Sequence, residues 1–134
     1  MAEISKAGVP SLASVLPPQN NNIAGLKAGE ALAAGDACRI NASDGLVYRS
    51  SGAAATASAN VHGWAAEACA IGEAVTLLHS VNLRYGAGLT PGASYFLSGT
   101  VLGGIADAAS TGGTTPCAFA VDATRIRALL AVLR

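Results

Sequence analysis

Ala33-Ala34-Gly35-Asp36-Ala37-Cys38-Arg39-Ile40-Asn41-Ala42-Ser43-Asp44-Gly45-Leu46-Val47-Tyr48-Arg49 reads as a β-hairpin framed by two glycine turns. Ala34-Gly35-Asp36 turns the chain into a short apolar run, Ala37 to Ile40, because glycine tolerates the backbone angles that a tight turn needs. Ser43-Asp44-Gly45 supplies a hairpin turn, and Leu46 to Arg49 is the returning strand. Outward from this stretch the same punctuation continues, with short apolar runs separated by Gly, Asp and Asn at intervals of roughly 8 to 12 residues, as in all-β domains. Ser50 to Asn60 lacks any period and reads as a loop before a strand at Val61-His62-Gly63-Trp64-Ala65. Gly72-Glu73 turns into one strand over residues 74–83, with apolar side chains in both alternating sets, so burial on both faces is expected.

The second half repeats the first. Leu32, Gly35, Cys38 and Ile40 recur at a constant offset as Leu89, Gly92, Tyr95 and Leu97. With a two-residue gap, Val61-His62-Gly63-Trp64-Ala65 falls on Pro116-Cys117-Ala118-Phe119-Ala120, placing one aromatic between small residues in each copy. Such a ring is expected to pack against closely approaching backbone. Two similar β units sharing one core are therefore expected, as a compact barrel or sandwich-like domain over residues 29–134. Residues 122–134 satisfy helical spacing at Ile126, Leu129, Leu130 and Leu133 but also alternate, and the β context favours a closing strand.

Residues 1–28 stand apart. Pro10, Pro17, Pro18 and the polar run Gln19 to Asn22 break any periodicity, which predicts an extended N-terminal arm. Val9, Leu12, Val15, Leu16 and Ile23 give that arm apolar anchors. Together with Pro17, Pro18, Asn20, Asn21 and Asn22 they are the candidate interface residues, suited to docking on a neighbouring subunit.

Composition narrows the function. The chain has 134 residues, 51% of them hydrophobic but only 4% aromatic, so small side chains dominate a modest core and burial against other subunits is an expected supplement. Eight basic residues balance eight acidic ones without a basic cluster in the sequence, which argues against a nucleic-acid partner. No window approaches the 18 to 20 apolar residues or so of a membrane span, and Glu3 and Pro10 interrupt any signal-peptide core, so neither membrane nor export is expected. Cys38, Cys69 and Cys117 are odd in number, widely spaced and without CxxC, and read as small buried hydrophobes rather than disulfide partners or zinc ligands. A Cys nucleophile served by His62 or His79 is the enzymatic rival. Tyr85-Gly86-Ala87-Gly88-Leu89-Thr90-Pro91-Gly92 looks like a dinucleotide fingerprint but places Pro91 where glycine is needed, and a strand follows it where a helix should. Glu67 and Glu73 lack supporting groups for acid–base work, and no catalytic residue or cofactor is assigned.

The string from Gly29 to Ser50 resembles the small capsid decoration, or cement, proteins of tailed bacteriophages, which carry an AGD turn and a DGxVY hairpin. Their next elements, a GxA strand and a GEaVxL strand, are similar to Val61 to Ala65 and Ile71 to Leu77 here. Gly88 to Ser98 and Ala118 to Thr124 are similar to a GLTPGxxYyLS segment and an AxAxxAT ending in phage structural proteins. The resemblance covers about residues 29 to 130 and leaves the arm outside it. It implies a non-enzymatic, cofactor-free homotrimer, made in the host cytoplasm, on the outer capsid surface of the virion. There it would clamp neighbouring major capsid protein subunits near threefold axes. Small side chains that allow close subunit approach and a neutral surface suited to dense packing agree with that expectation. The alternatives are a tail or fibre component, and a carbohydrate-binding module stacking sugars on Trp64, Tyr48, Tyr85 or Tyr95.

Overall fold

The computed structural model describes residues 2–12 and 21–132, with the side chain of Leu12 excepted, and they form an all-β, two-sheet, sandwich-like body. The strands are β1 (Glu3–Ile4), β2 (Ser11–Leu12), β3 (Asn22–Lys27), β4 (Ala37–Ile40), β5 (Val47–Arg49), β6 (Gly63–Ala65), β7 (Ala74–Leu78), β8 (Val81–Arg84), β9 (Ser94–Leu97), β10 (Ile105–Ala106), β11 (Ala118–Ala120) and β12 (Arg125–Ala128). One sheet has the order β3-β7-β6-β4-β5, and the other has β1-β10-β9-β11-β12-β8-β2, with every strand pair antiparallel.

The duplication is explicit in this order. Stripped of β1 and β2, the second sheet runs β8-β12-β11-β9-β10, the same topology as the first advanced by five strands. The turns match atom for atom. Gly35 and Gly92 have φ of 81° and 82°, in the left-handed region where a side chain is strained. Asp36 N–H donates to Ala33 O at 3.1 Å, and Ala93 N–H to Thr90 O at 3.0 Å. Gly35 N–H reaches Ala65 O and Gly92 N–H reaches Ala120 O, both at 2.8 Å. The hairpin around Asp44-Gly45 also forms, pairing Cys38 with Arg49, Arg39 with Tyr48 and Ile40 with Val47. The closing segment is strand β12, paired with β11 and β8.

Two expectations need correction. Residues 74–83 are not one strand, since Ser80 takes a φ of 54° and the chain passes there from the first sheet to the second. Ser80 is held in that turn by its N–H on Ala128 O at 2.7 Å and by its own carbonyl, which accepts from Asn21 Nδ2 at 2.9 Å. The two units also do not share a single core. A smaller cluster, including Leu32, Cys38, Val47, Val75 and Leu77, fills the first unit, while a larger one runs from Trp64, Val61 and Leu78 into the second unit. Strands β4, β6 and β7 form the wall between them. Cys38, Ala65 and Leu77 point to the smaller core, and their neighbours Ala37, Trp64 and Leu78 point to the larger, as strand alternation requires. The expected two-sided burial of β7 follows from this position.

The N-terminal segment is extended, but it runs along its own body. Ile4 pairs with Ile105 at one edge of the second sheet and Leu12 pairs with Leu83 at the other. Seven extended steps from Ile4 to Ser11 reach at most about 24 Å, whereas six flat interstrand gaps would span roughly 29 Å. The second sheet therefore curls, and residues 5–10 strap its edges together. The first sheet curls as well, until Ala28 meets Val47 at one parallel bridge; a single bridge does not make it a closed barrel. The strap is locked by Lys6, whose ammonium lies 2.6 Å from the buried Asp36 carboxylate, and by Pro10 packed over Gly35.

Candidate interaction surface

The structure distributes the candidate interface residues unevenly. Val9 is 79% exposed at the tip of the strap. Leu12 contributes backbone to β2, and Val15, Leu16, Pro17, Pro18 and Asn20 lie outside the described residues. Asn21, Asn22 and Ile23 are engaged by this chain itself, through Ser80 and through pairing of β3 with β7, and Ile23 packs against the smaller core. Where this stretch is described, Asn21, Asn22 and Ile23 are held by their own chain, while Val9 stays exposed.

A different surface emerges on the outer face of the second sheet. Alternation sends Tyr95, Leu97, Ala118, Ala120, Ile126, Val81 and Leu83 into the larger core, so the residues between them face outward. Phe119 lies directly opposite Arg127 on one side and Ser94 on the other, and Arg127 lies opposite Asn82. One row further along, Arg125 lies opposite Arg84. Like charges directly opposed across strands are destabilising, so the pairing of Arg84 with Arg125 favours no element of this fold. Asp122 offsets one of the two, accepting from Arg125 Nε at 2.7 Å. Bonds from the Thr124 backbone, and then this guanidinium, hold the Asp122 carboxyl down to about 2, so it is ionised at neutral pH. Arg127 donates to Asn82 Oδ1 at 3.2 Å, and Arg84 is exposed. The face therefore presents an aromatic ring 39% exposed among three guanidinium groups.

Sequence reasoning missed this surface because Arg84 is remote in the chain from Arg125 and Arg127. The repeat held the one available signal. Phe119 occupies the position of Trp64, yet Trp64 is fully buried while Phe119 is not. The first unit turns that side of its sheet to the larger core; the second turns it to solvent. The expectation of a packed ring thus holds for Trp64 and fails for Phe119. Ile71, 72% exposed beside the Gly72 turn, is a further apolar residue outside both cores.

The groups weighed for other chemistry are placed differently. All three cysteines are free and buried. Burial pushes the Cys117 thiol up to about 12 and raises Cys38 further, while burial and then Glu67 and Glu73 raise Cys69, so the thiols are held in the non-nucleophilic form. His62 Nδ1 accepts the Ile40 N–H at 2.9 Å, and burial lowers its pKa. Among the described residues, no group of three or more His, Cys, Asp or Glu could hold a metal ion. Trp64, Tyr85 and Tyr95 are core residues, and Tyr48 lies half-buried with Arg39 over its ring at 5.3 Å.

His62 carries a pH prediction. A folded pKa below 6.5 means that the unfolded chain binds the proton first. The neutral imidazole's contribution is complete above pH 6.5 and is lost as pH falls through the lower folded value. The melting temperature should therefore decline below pH 6.5 by less in His62→Gln than in the wild type, and the imidazole should titrate below 6.5 by NMR; titration above that value would refute the assignment. Comparison with family models, with curated proteins and with solved structures finds no match.

Proposed function

We propose that this protein is a non-catalytic decoration protein of tailed-phage capsids, which binds the outer surface of the assembled shell as a homotrimer and stabilises contacts between major capsid subunits. The observation that carries this reading is the outward face of Phe119, Arg84, Arg125 and Arg127, whose opposed charges favour association more than folding. A partner with acidic groups around an apolar depression fits that face, and aromatic and arginine side chains dominate binding energy at protein interfaces. The resemblance of the Gly35 and Gly45 turns to those of cement proteins supports it, since both glycines take the positive φ that such turns demand. A protein that binds only the assembled shell stabilises it by mass action, repeated over many sites.

The test is cosedimentation of the full chain with assembled shells, and separately with unassembled capsid subunits, of the phage that encodes it. Saturable binding to shells alone and a mass three times that of the chain by light scattering are expected. Changing Arg84, Arg125 and Arg127 together to Gln should weaken binding on the order of 10²-fold, at about 1 kcal/mol per exposed ion pair, and added salt should mimic this. Absence of shell binding, or equal binding to free subunits, would defeat the reading.

A further inference from the structure

The outer face of the second sheet carries a row of polar side chains with donors that the fold leaves free. Ser11 on β2 lies opposite Arg84 on β8, and Arg84 lies opposite Arg125 on β12. Side chains directly opposed in antiparallel strands share one face, with Cβ atoms about 4.5–5.5 Å apart. Arg127, two residues along β12, is on that face as well. Arg84 is exposed and has no ion pair or side-chain hydrogen bond among the described residues. Arg125 places Nε on Asp122, and Arg127 gives one N–H to Asn82 Oδ1. A guanidinium carries five donors, so both retain several. Three guanidiniums against the Asp122 carboxylate leave this row with an excess of two positive charges.

The internal repeat shows that the sheet does not require the doubled arginine. Strands β3 and β7 hold in the first unit the places of β8 and β12 in the second, and there the corresponding pair is Lys27 opposite Ala74. One cation opposite a small residue satisfies the same topology. We propose that Ser11, Arg84, Arg125 and Arg127 form a binding site for a free tetrahedral dianion, phosphate or sulfate, that bridges the opposed guanidiniums. A dianion matches the excess charge, arginine forks bind such oxygens through pairs of parallel N–H bonds, and the exposed Ser11 hydroxyl adds a donor at the end of the row. The same guanidiniums belong to the face assigned above to the shell, so bound phosphate competes with shell binding. That consequence rests on the capsid reading, whereas the anion site does not.

NMR titration of the full chain with inorganic phosphate, at mildly alkaline pH and at ionic strength held constant with sodium chloride, tests it. Saturable shifts with a dissociation constant in the millimolar range are expected, confined to β8, β12 and the Arg125 Nε–H. Arg84→Gln should bind phosphate about tenfold more weakly, by loss of one charge-assisted partner, while Lys27→Gln, at the equivalent position of the first unit, binds as the wild type does. In chloride alone Arg84→Gln should melt no lower than the wild type, because it removes a like-charge opposition, which verifies its fold. Phosphate should also release the chain from shells at lower ionic strength than sodium chloride does. The anion site is overturned if the shifts grow without saturating, if chloride produces the same shifts, or if Arg84→Gln binds phosphate as tightly as the wild type. The titration contains no shells, so its failure leaves the capsid reading standing, and failed cosedimentation leaves the anion site standing.

Discussion

Trp64→Ala is expected to destabilise the fold by about 3–5 kcal/mol, whereas Phe119→Ala, at the equivalent position of the second unit, should stay within about 1 kcal/mol. Trp64 is wholly buried, packs edge-on against Tyr85, and donates its indole N–H to Leu129 O at 2.9 Å. Its removal leaves a cavity between the two units and an unpaired carbonyl, and the wall strands β4, β6 and β7 cannot collapse into that space without moving the smaller core behind them. Phe119 leaves neither. Urea titrations of both variants measure the contrast. In the shell-binding assay the order should invert, with Phe119→Ala losing affinity while remaining folded. Equal stability losses at the two sites would show that the outer face of the second sheet is part of the core after all.

Deletion of residues 2–12 is expected to cost on the order of 4 kcal/mol and to make the chain associate beyond the trimer. The strap pairs with β10 and β8, and its Ala7 N–H reaches Tyr85 O at 2.8 Å. Without it both edges of the second sheet are bare, and open edges recruit other chains. Asp36 is also left buried without its ammonium partner, and breaking a buried pair from one side typically costs about 3–5 kcal/mol. Lys6 keeps a quarter of its side chain exposed, which moderates this figure. Denaturant melts give the stability loss, and light scattering as a function of concentration gives the association. A truncated chain that melts like the parent would mean that the strap is an ornament on an already closed sheet.

Much of the fold is legible because turn chemistry is local. Gly35, Gly45 and Gly92 are needed where φ is positive, and their spacing carried the hairpins, the offset between units and the gap before Phe119. Ser80 was not legible, since a serine in the left-handed region leaves no mark in composition; only its bonds to Ala128 and Asn21 hold it there. The path of the strap was not legible for a similar reason. Its prolines and polar residues announce irregular, extended chain, but whether such a chain docks on itself or on a neighbour depends on Lys6 finding Asp36 and Pro10 finding Gly35.

The sequence by itself determined an all-β chain of two similar units, because periodicity, glycine positions and hairpin signals act over a few residues. Only the tertiary structure decided what each unit does with its outer face. Identical topology and matching turns put Trp64 and Phe119 at equivalent positions, but a chain of this size can bury only so much surface. Stacking one unit on the other covers Trp64, and nothing among the described residues is left to cover Phe119 to the same degree. Pairing of β8 with β12 brings Arg84 beside Arg125, a juxtaposition set by strand register rather than by distance along the chain.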